Sequence, residues 1–154
     1  MVELSIIKEH TCPLCDEILS KENIINEYKH TVLMFNRYPY IPGHLMVVPK
    51  RGFSKLSEYT LEERTELMEV LNIGQELILE ALQIDSLNTG INTGPNSGGS
   101  ISSHLHIHIV PRKNNDLNFM NTIIHTPISI RNYNQYDTVR EKILEKAEKR
   151  LSIK

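Results

Sequence analysis

A chain of 154 residues, 40% hydrophobic and 23% charged, is long enough for one domain, 1–154, with a buried core, and it carries no repeat or low-complexity linker. Its formal net charge of -2 excludes a general basic surface for a nucleic-acid polymer, so any phosphate must be met by a local pocket. No stretch nears the roughly 18 apolar residues of a membrane span, and Met1-Val2-Glu3-Leu4-Ser5 lacks the layout of a signal peptide, so a cytoplasmic protein without membrane attachment is expected.

First in chain order comes Cys12-Pro13-Leu14-Cys15, read as a tight knuckle entering a short helical turn. These two cysteines are too few for a disulfide framework. In a reducing compartment their C-x-x-C spacing marks half a metal site, a redox pair or two ordinary thiols. A structural zinc wants four ligands, and His104 and His10 are the available additions.

Ile24-Ile25, Val32-Leu33-Met34-Phe35 and His44-Leu45-Met46-Val47-Val48 are short apolar runs separated by turn residues, which predicts an antiparallel meander. Between the second and third, Asn36 to Gly43 contains Pro39, Pro42 and Gly43, so a rigid loop delivers His44 to the start of a strand. Thr60-Leu61-Glu62-Glu63 has the form of a capping box. Leu67, Val70, Leu71, Gly74, Leu77, Ile78 and Ala81 then share one stripe, predicting a long amphipathic helix near 60–83. Gly74 costs that helix about 1 kcal/mol relative to Ala, and the expected return is close approach to the sheet.

Leu87 to Asn92 reads as a weak strand. In the loop Thr93 to Ser100, glycines let backbone amides approach an anion while Ser and Asn add donors, although Gly-rich turns are usually only turns. Residues 119–130 read as irregular or weakly extended. From Asp137 a C-terminal helix is predicted, with Val139, Ile143, Ala147 and Leu151 on one stripe.

The organising stretch is His104-Leu105-His106-Ile107-His108-Ile109-Val110-Pro111. Its period of two predicts a half-buried strand with three imidazoles on one face and apolar side chains on the other. Three imidazoles do nothing for packing that Thr or Val would not do better. Same-face residues lie roughly 6.5 to 7 Å apart along a strand, so one zinc with ligands about 2 Å away cannot easily serve all three. At least one of these histidines has a different task. A neutral imidazole can attack an electrophilic phosphorus at neutral pH, provided a partner holds its tautomer.

His104-x-His106-x-His108 resembles the histidine triad (HIT) signature, and Pro42-Gly43-His44 resembles the segment that supplies this family's fourth active-site histidine. The resemblance runs over about 12–112, leaving 113–154 as a C-terminal extension. It implies an α+β fold: an antiparallel sheet of about five strands, one long helix packed on it and a C-terminal helix. It also implies nucleotidyl transfer through a covalent adduct on His106. His108 and Asn92 would contact the reacting phosphate, His44 would support the histidine network, and Asn36 would bind ribose hydroxyls. His104 would orient its neighbours or bind zinc with Cys12 and Cys15. No organic cofactor is implied, and a homodimer or higher homo-oligomer is.

Asn36 to Tyr40, Gly99-Ser100 and Asn118-Phe119-Met120 resemble the bacterial diadenosine tetraphosphate phosphorylase branch, whereas hydrolases more often carry Gly-Gln at the pair. Two positions depart from the pattern. Lys113 stands where that branch commonly has Trp, and Gly52 stands where zinc-binding relatives place a histidine ligand. The expected function is nucleotidyl transfer on adenosine-containing dinucleotides, with inorganic phosphate entering beside Gly99 and Ser100. The alternatives are a HIT hydrolase of dinucleoside polyphosphates or nucleoside phosphoramidates, and a nucleotide-binding sensor with negligible turnover.

Overall fold

The computed structural model describes residues 12–113 and 133–152. His10, the Asn118-Phe119-Met120 segment and the stretch 119–130 lie outside them. A short helix α1 (Pro13–Ser20) leads into strands β1 (Ile24–Glu27), β2 (Thr31–Phe35) and β3 (Leu45–Pro49). The long helix α2 (Leu61–Leu82) follows, then β4 (Ser86–Ile91), β5 (Ile107–Arg112) and a terminal helix α3 (Tyr133–Leu151). The strands form one antiparallel sheet in the order β1-β2-β3-β5-β4, so the meander is as expected and the histidine-bearing strand lies between β3 and β4. Among the described residues no helix is long and apolar enough to cross a membrane.

The two faces of the sheet follow from strand alternation. Leu33, Phe35, Leu45, Val47, Ile107 and Ile109 face α2 and α3 in the larger core cluster. Val32, Met34, Met46 and Val48 face the other way, packing with Leu14 of α1. The capping box is present, with the Glu63 amide donating to Thr60 Oγ1 at 3.2 Å and the Thr60 amide to Glu63 Oε2 at 2.7 Å. Gly74 lets α2 sit close on the sheet: a Cβ there would come within 2.7 Å of Ile109 and 2.9 Å of Leu33. On α3, Ile143 and Ala147 are buried and Val139 and Leu151 pack beside them, while Arg150 and Lys146 pair with Glu80 of α2.

Three local readings differ from the sequence expectation. The C-x-x-C segment opens a true helix, because Pro13 at its start and the Cys12 Sγ cap on the Cys15 amide stabilise the first turn. Helix α3 begins at Tyr133, ahead of the expected Asp137. Strand β5 begins at Ile107, so His104 and His106 precede it. The reason is a change of partners: the Leu105 amide donates to Phe53 O at 2.7 Å, and the His104 side chain takes the Pro49 carbonyl.

Candidate active site

All four histidines of interest are buried: His44 and His104 are 1% exposed, His106 and His108 6%. The expected half-buried stripe is therefore enclosed on both sides. His108 pairs with Met46 across β3 and with Gly90 across β4. Gly90 adds no side chain of its own to that face. His44 arrives from the end of the loop before β3, where its amide donates to Ile41 O at 3.2 Å and its carbonyl accepts from Asn36 N–H at 3.0 Å.

The hydrogen bonds define every tautomer, because a carbonyl can only accept and an amide N–H can only donate. The Tyr40 amide donates to His44 Nδ1 at 3.1 Å, which leaves the His44 proton on Nε2. That Nε2–H donates to His108 Nδ1 at 2.8 Å, which leaves the His108 proton on its own Nε2. His108 Nε2 is buried and has no hydrogen-bond partner among the described residues. His106 Nδ1–H donates to the His104 carbonyl at 2.8 Å, so its Nε2 carries a free lone pair. His104 Nε2–H donates to Pro49 O at 2.7 Å, which leaves Nδ1 as the acceptor.

Burial supports the neutral forms these tautomers require. It holds His106 below its ordinary value, partly offset by the His104 carbonyl. It takes His108 to about 4, with the neighbouring His106 adding to the effect, and it holds His44 well below its ordinary value, with His108 and His106 again adding to burial. His104 is lowered too, mainly by burial. The rings pack closely, with centroids 4.7 Å apart for His106 and His108 and 5.0 Å for His44 and His108.

Tyr40 is the member of this network that sequence reasoning missed. Its ring lies 4.5 Å from that of His44 and 5.7 Å from that of His108, while its amide sets the His44 tautomer. Asn36 sits beside the same ring: Nδ2 is 3.4 Å from His44 Nδ1 and 3.3 Å from Nε2, and Oδ1 accepts the Tyr38 amide at 2.9 Å. Asn92 follows β4, whose last residue Ile91 pairs with Ile107. Gly99 packs on Asn92, for a Cβ there would lie 3.0 Å from Asn92 Cβ and 3.1 Å from Nδ2. Ser100 is exposed.

His104 turns the other way. Its Nδ1 lies 3.2 Å from Cys12 Sγ and 3.4 Å from Cys15 Sγ, and the three ligand atoms fall within 4.8 Å of one another. A tetrahedral zinc with thiolate and imidazole ligands separates such atoms by about 3.5 Å. These residues can therefore hold a metal with little movement. The Pro49 carbonyl orients the imidazole as a partner outside the metal shell does in such sites. With the thiols alone, burial and the Cys12 side chain push Cys15 up to about 12.

An antiparallel sheet in an α+β fold, with three alternating histidines leading into an interior strand and a fourth joined to them from the start of the neighbouring strand, defines a histidine triad architecture. The HIT domain model matches residues 19–115, and the chain belongs to that family. It is 40% identical to an AP-4-A phosphorylase of Mycobacterium tuberculosis over 100 residues, covering 65% of this chain and 51% of that protein. It is 34% identical over 97 residues to a bis(5'-adenosyl)-triphosphatase of Saccharomyces cerevisiae, covering 62% of this chain and 47% of the other. The chain thus spans about half the length of these curated relatives. A hypothetical histidine triad nucleotide-binding protein of Sulfolobus tokodaii superposes with a TM-score of 0.73 at 26% identity, covering 90% of this chain and 93% of its own.

Proposed function

We propose that the chain is an enzyme that cleaves dinucleoside polyphosphates, diadenosine tetraphosphate among them, by phosphorolysis through a nucleotidyl adduct on His106. The observation that carries this reading is the pairing of two neighbouring imidazoles of opposite tautomer: a free lone pair on His106 Nε2 and an unpartnered N–H on His108 Nε2. The first is a nucleophile and the second a donor for a phosphate oxygen.

In the first step the His106 lone pair attacks the phosphorus of an adenylyl group. A P–N bond forms, the bridging P–O bond breaks, and ATP leaves from diadenosine tetraphosphate. His106 gains positive charge in the adduct, which its Nδ1–H shares with the His104 carbonyl. His108 Nε2–H stabilises the charge that develops on the departing oxygen, and His44 keeps His108 in that tautomer. In the second step an oxygen of inorganic phosphate attacks the same phosphorus, the P–N bond breaks, and ADP forms with His106 restored. Asn36 would bind ribose hydroxyls, and Asn92, Gly99 and Ser100 would form the phosphate corner. Identity to an AP-4-A phosphorylase supports phosphate as acceptor, and identity to a bis(5'-adenosyl)-triphosphatase supports water.

Cys12, Cys15 and His104 would hold one zinc. When bound, it would cross-link α1 to the segment that carries the His106 acceptor carbonyl.

Product identification after incubation with diadenosine tetraphosphate, with and without phosphate, tests the reading. ATP and ADP should appear only when phosphate is supplied, and Ser100→Gln should weaken that dependence. Equal rates without phosphate, yielding AMP, would replace phosphorolysis by hydrolysis.

A further inference from the structure

We propose that Cys12, Cys15 and His104 form an open three-ligand site for a thiophilic divalent cation, whose fourth corner, beside Gly52, takes a small exogenous donor such as water or a low-molecular-weight thiolate. The proposal rests on the metal reading above and adds that, among the described residues, no fourth protein ligand fills the remaining coordination position.

The corner is defined by geometry. A Cβ on Gly52 would lie 3.3 Å from His104 Nδ1 and 3.4 Å from Cys15 Sγ, so a side chain at this position would grow toward the ligand atoms. Gly52 is not among the residues of positive φ, so its backbone does not require glycine. What glycine contributes here is space. Among the described residues, the only His, Cys, Asp or Glu ligand atoms gathered at this point are those of Cys12, Cys15 and His104.

The loop around Gly52 is also held, so the corner keeps its place. The Arg51 guanidinium grips Glu63 at 2.6 and 2.8 Å. The Tyr59 hydroxyl lies 2.8 Å from the carbonyls of both Arg51 and Phe53, and it accepts the Phe53 amide at 3.0 Å. Phe53 O then takes the Leu105 amide at 2.7 Å, which ties the loop to the residue after His104. Both cysteines are partly exposed, giving a small donor a route from solvent. Two thiolates and an imidazole favour zinc or cobalt over hard cations, and a three-ligand site of this kind keeps its fourth position for water or an added ligand. Binding the cation displaces the thiol protons and involves no change of oxidation state.

The test is a cobalt(II) titration of the chelator-treated protein under anaerobic conditions, read by ligand-field and thiolate-to-cobalt charge-transfer absorption. The parent should bind one cobalt per chain, and added 2-mercaptoethanol should strengthen the charge-transfer band as a third thiolate joins. Gly52→Ala places only a methyl group in the corner, 3.3 Å from His104 Nδ1 and 3.4 Å from Cys15 Sγ, with circular dichroism checking that the fold is kept. It should still bind cobalt but lose the response to thiol. Gly52→His should lose that response and bind cobalt more tightly. Partners outside the metal shell change affinity about 10–100-fold, so a direct ligand should gain more than about tenfold. A parent spectrum indifferent to thiol, together with unchanged affinity in folded Gly52→His, would overturn the open corner and leave the metal reading standing. No cobalt uptake by either protein would overturn both.

Discussion

His104 and His106 are two residues apart on one extended segment, yet the structure gives them opposite surroundings. His104 spends its N–H on Pro49 O and turns a lone pair to two thiols, whereas His106 spends its N–H on the His104 carbonyl and keeps Nε2 free. Neither assignment comes from the imidazole itself. Each is set by which backbone carbonyl lies within reach, so one residue type at one spacing divides into a thiol-facing end and an end with a free Nε2.

The comparison breaks most visibly at the proposed nucleophile. His106→Ala should lower turnover of diadenosine tetraphosphate by several orders of magnitude while the fold and nucleotide binding persist. Activity within a few-fold of the parent would remove His106 from the chemistry. Next in size is the relay behind it. His44→Phe keeps a ring of similar bulk in the site but cannot donate to His108 Nδ1, so a loss of about 10²-fold or more in kcat is expected, read by steady-state kinetics. A loss confined to KM would mean that His44 only shapes the pocket.

Acid should separate the folded and unfolded chains. His108 titrates near 4 in the fold against 6.5 ordinarily, because burial disfavours its charged form. Between those values the unfolded chain binds the proton and the fold does not, so stability rises with pH across this window and is fully present above it. Burial lowers His44 in the same direction. Denaturant unfolding at pH 5 and pH 7.5 should therefore show a weaker fold at pH 5, with a smaller difference in His108→Asn. Equal stability at the two pH values would mean that these imidazoles are solvated.

The smallest effect on rate is expected at the other end of the segment. Cys15→Ser removes one of the proposed thiolate ligands and should abolish tight cobalt binding, yet turnover should stay within a few-fold because no step of the proposed reaction passes through the thiols. Paired assays of metal content and turnover check this. A loss comparable to that of His44→Phe would join the two ends into one device.

Much of this arrangement was legible beforehand. Alternation of His with Leu and Ile placed the imidazoles opposite the larger core cluster, and Thr60 with Glu63 announced the start of α2. The early departure of His104 from the strand was not legible, because it depends on the Phe53 and Pro49 carbonyls, which come from a distant loop and strand. Tyr40 was missed for a similar reason: its hydrogen bond to His44 uses the backbone amide, which no side-chain pattern reports. Gly52 was visible as a departure at a metal-ligand position. Its contact with both His104 and Cys15 needed the fold.

The tautomer assignments can be read directly from long-range ¹⁵N–¹H correlation spectra of histidine-labelled protein at neutral pH, with each ring assigned through single histidine substitutions. The account predicts four neutral imidazoles, with the proton on Nδ1 in His106 and on Nε2 in His44, His104 and His108. A protonated ring among the four, or His106 carrying its proton on Nε2, would contradict it.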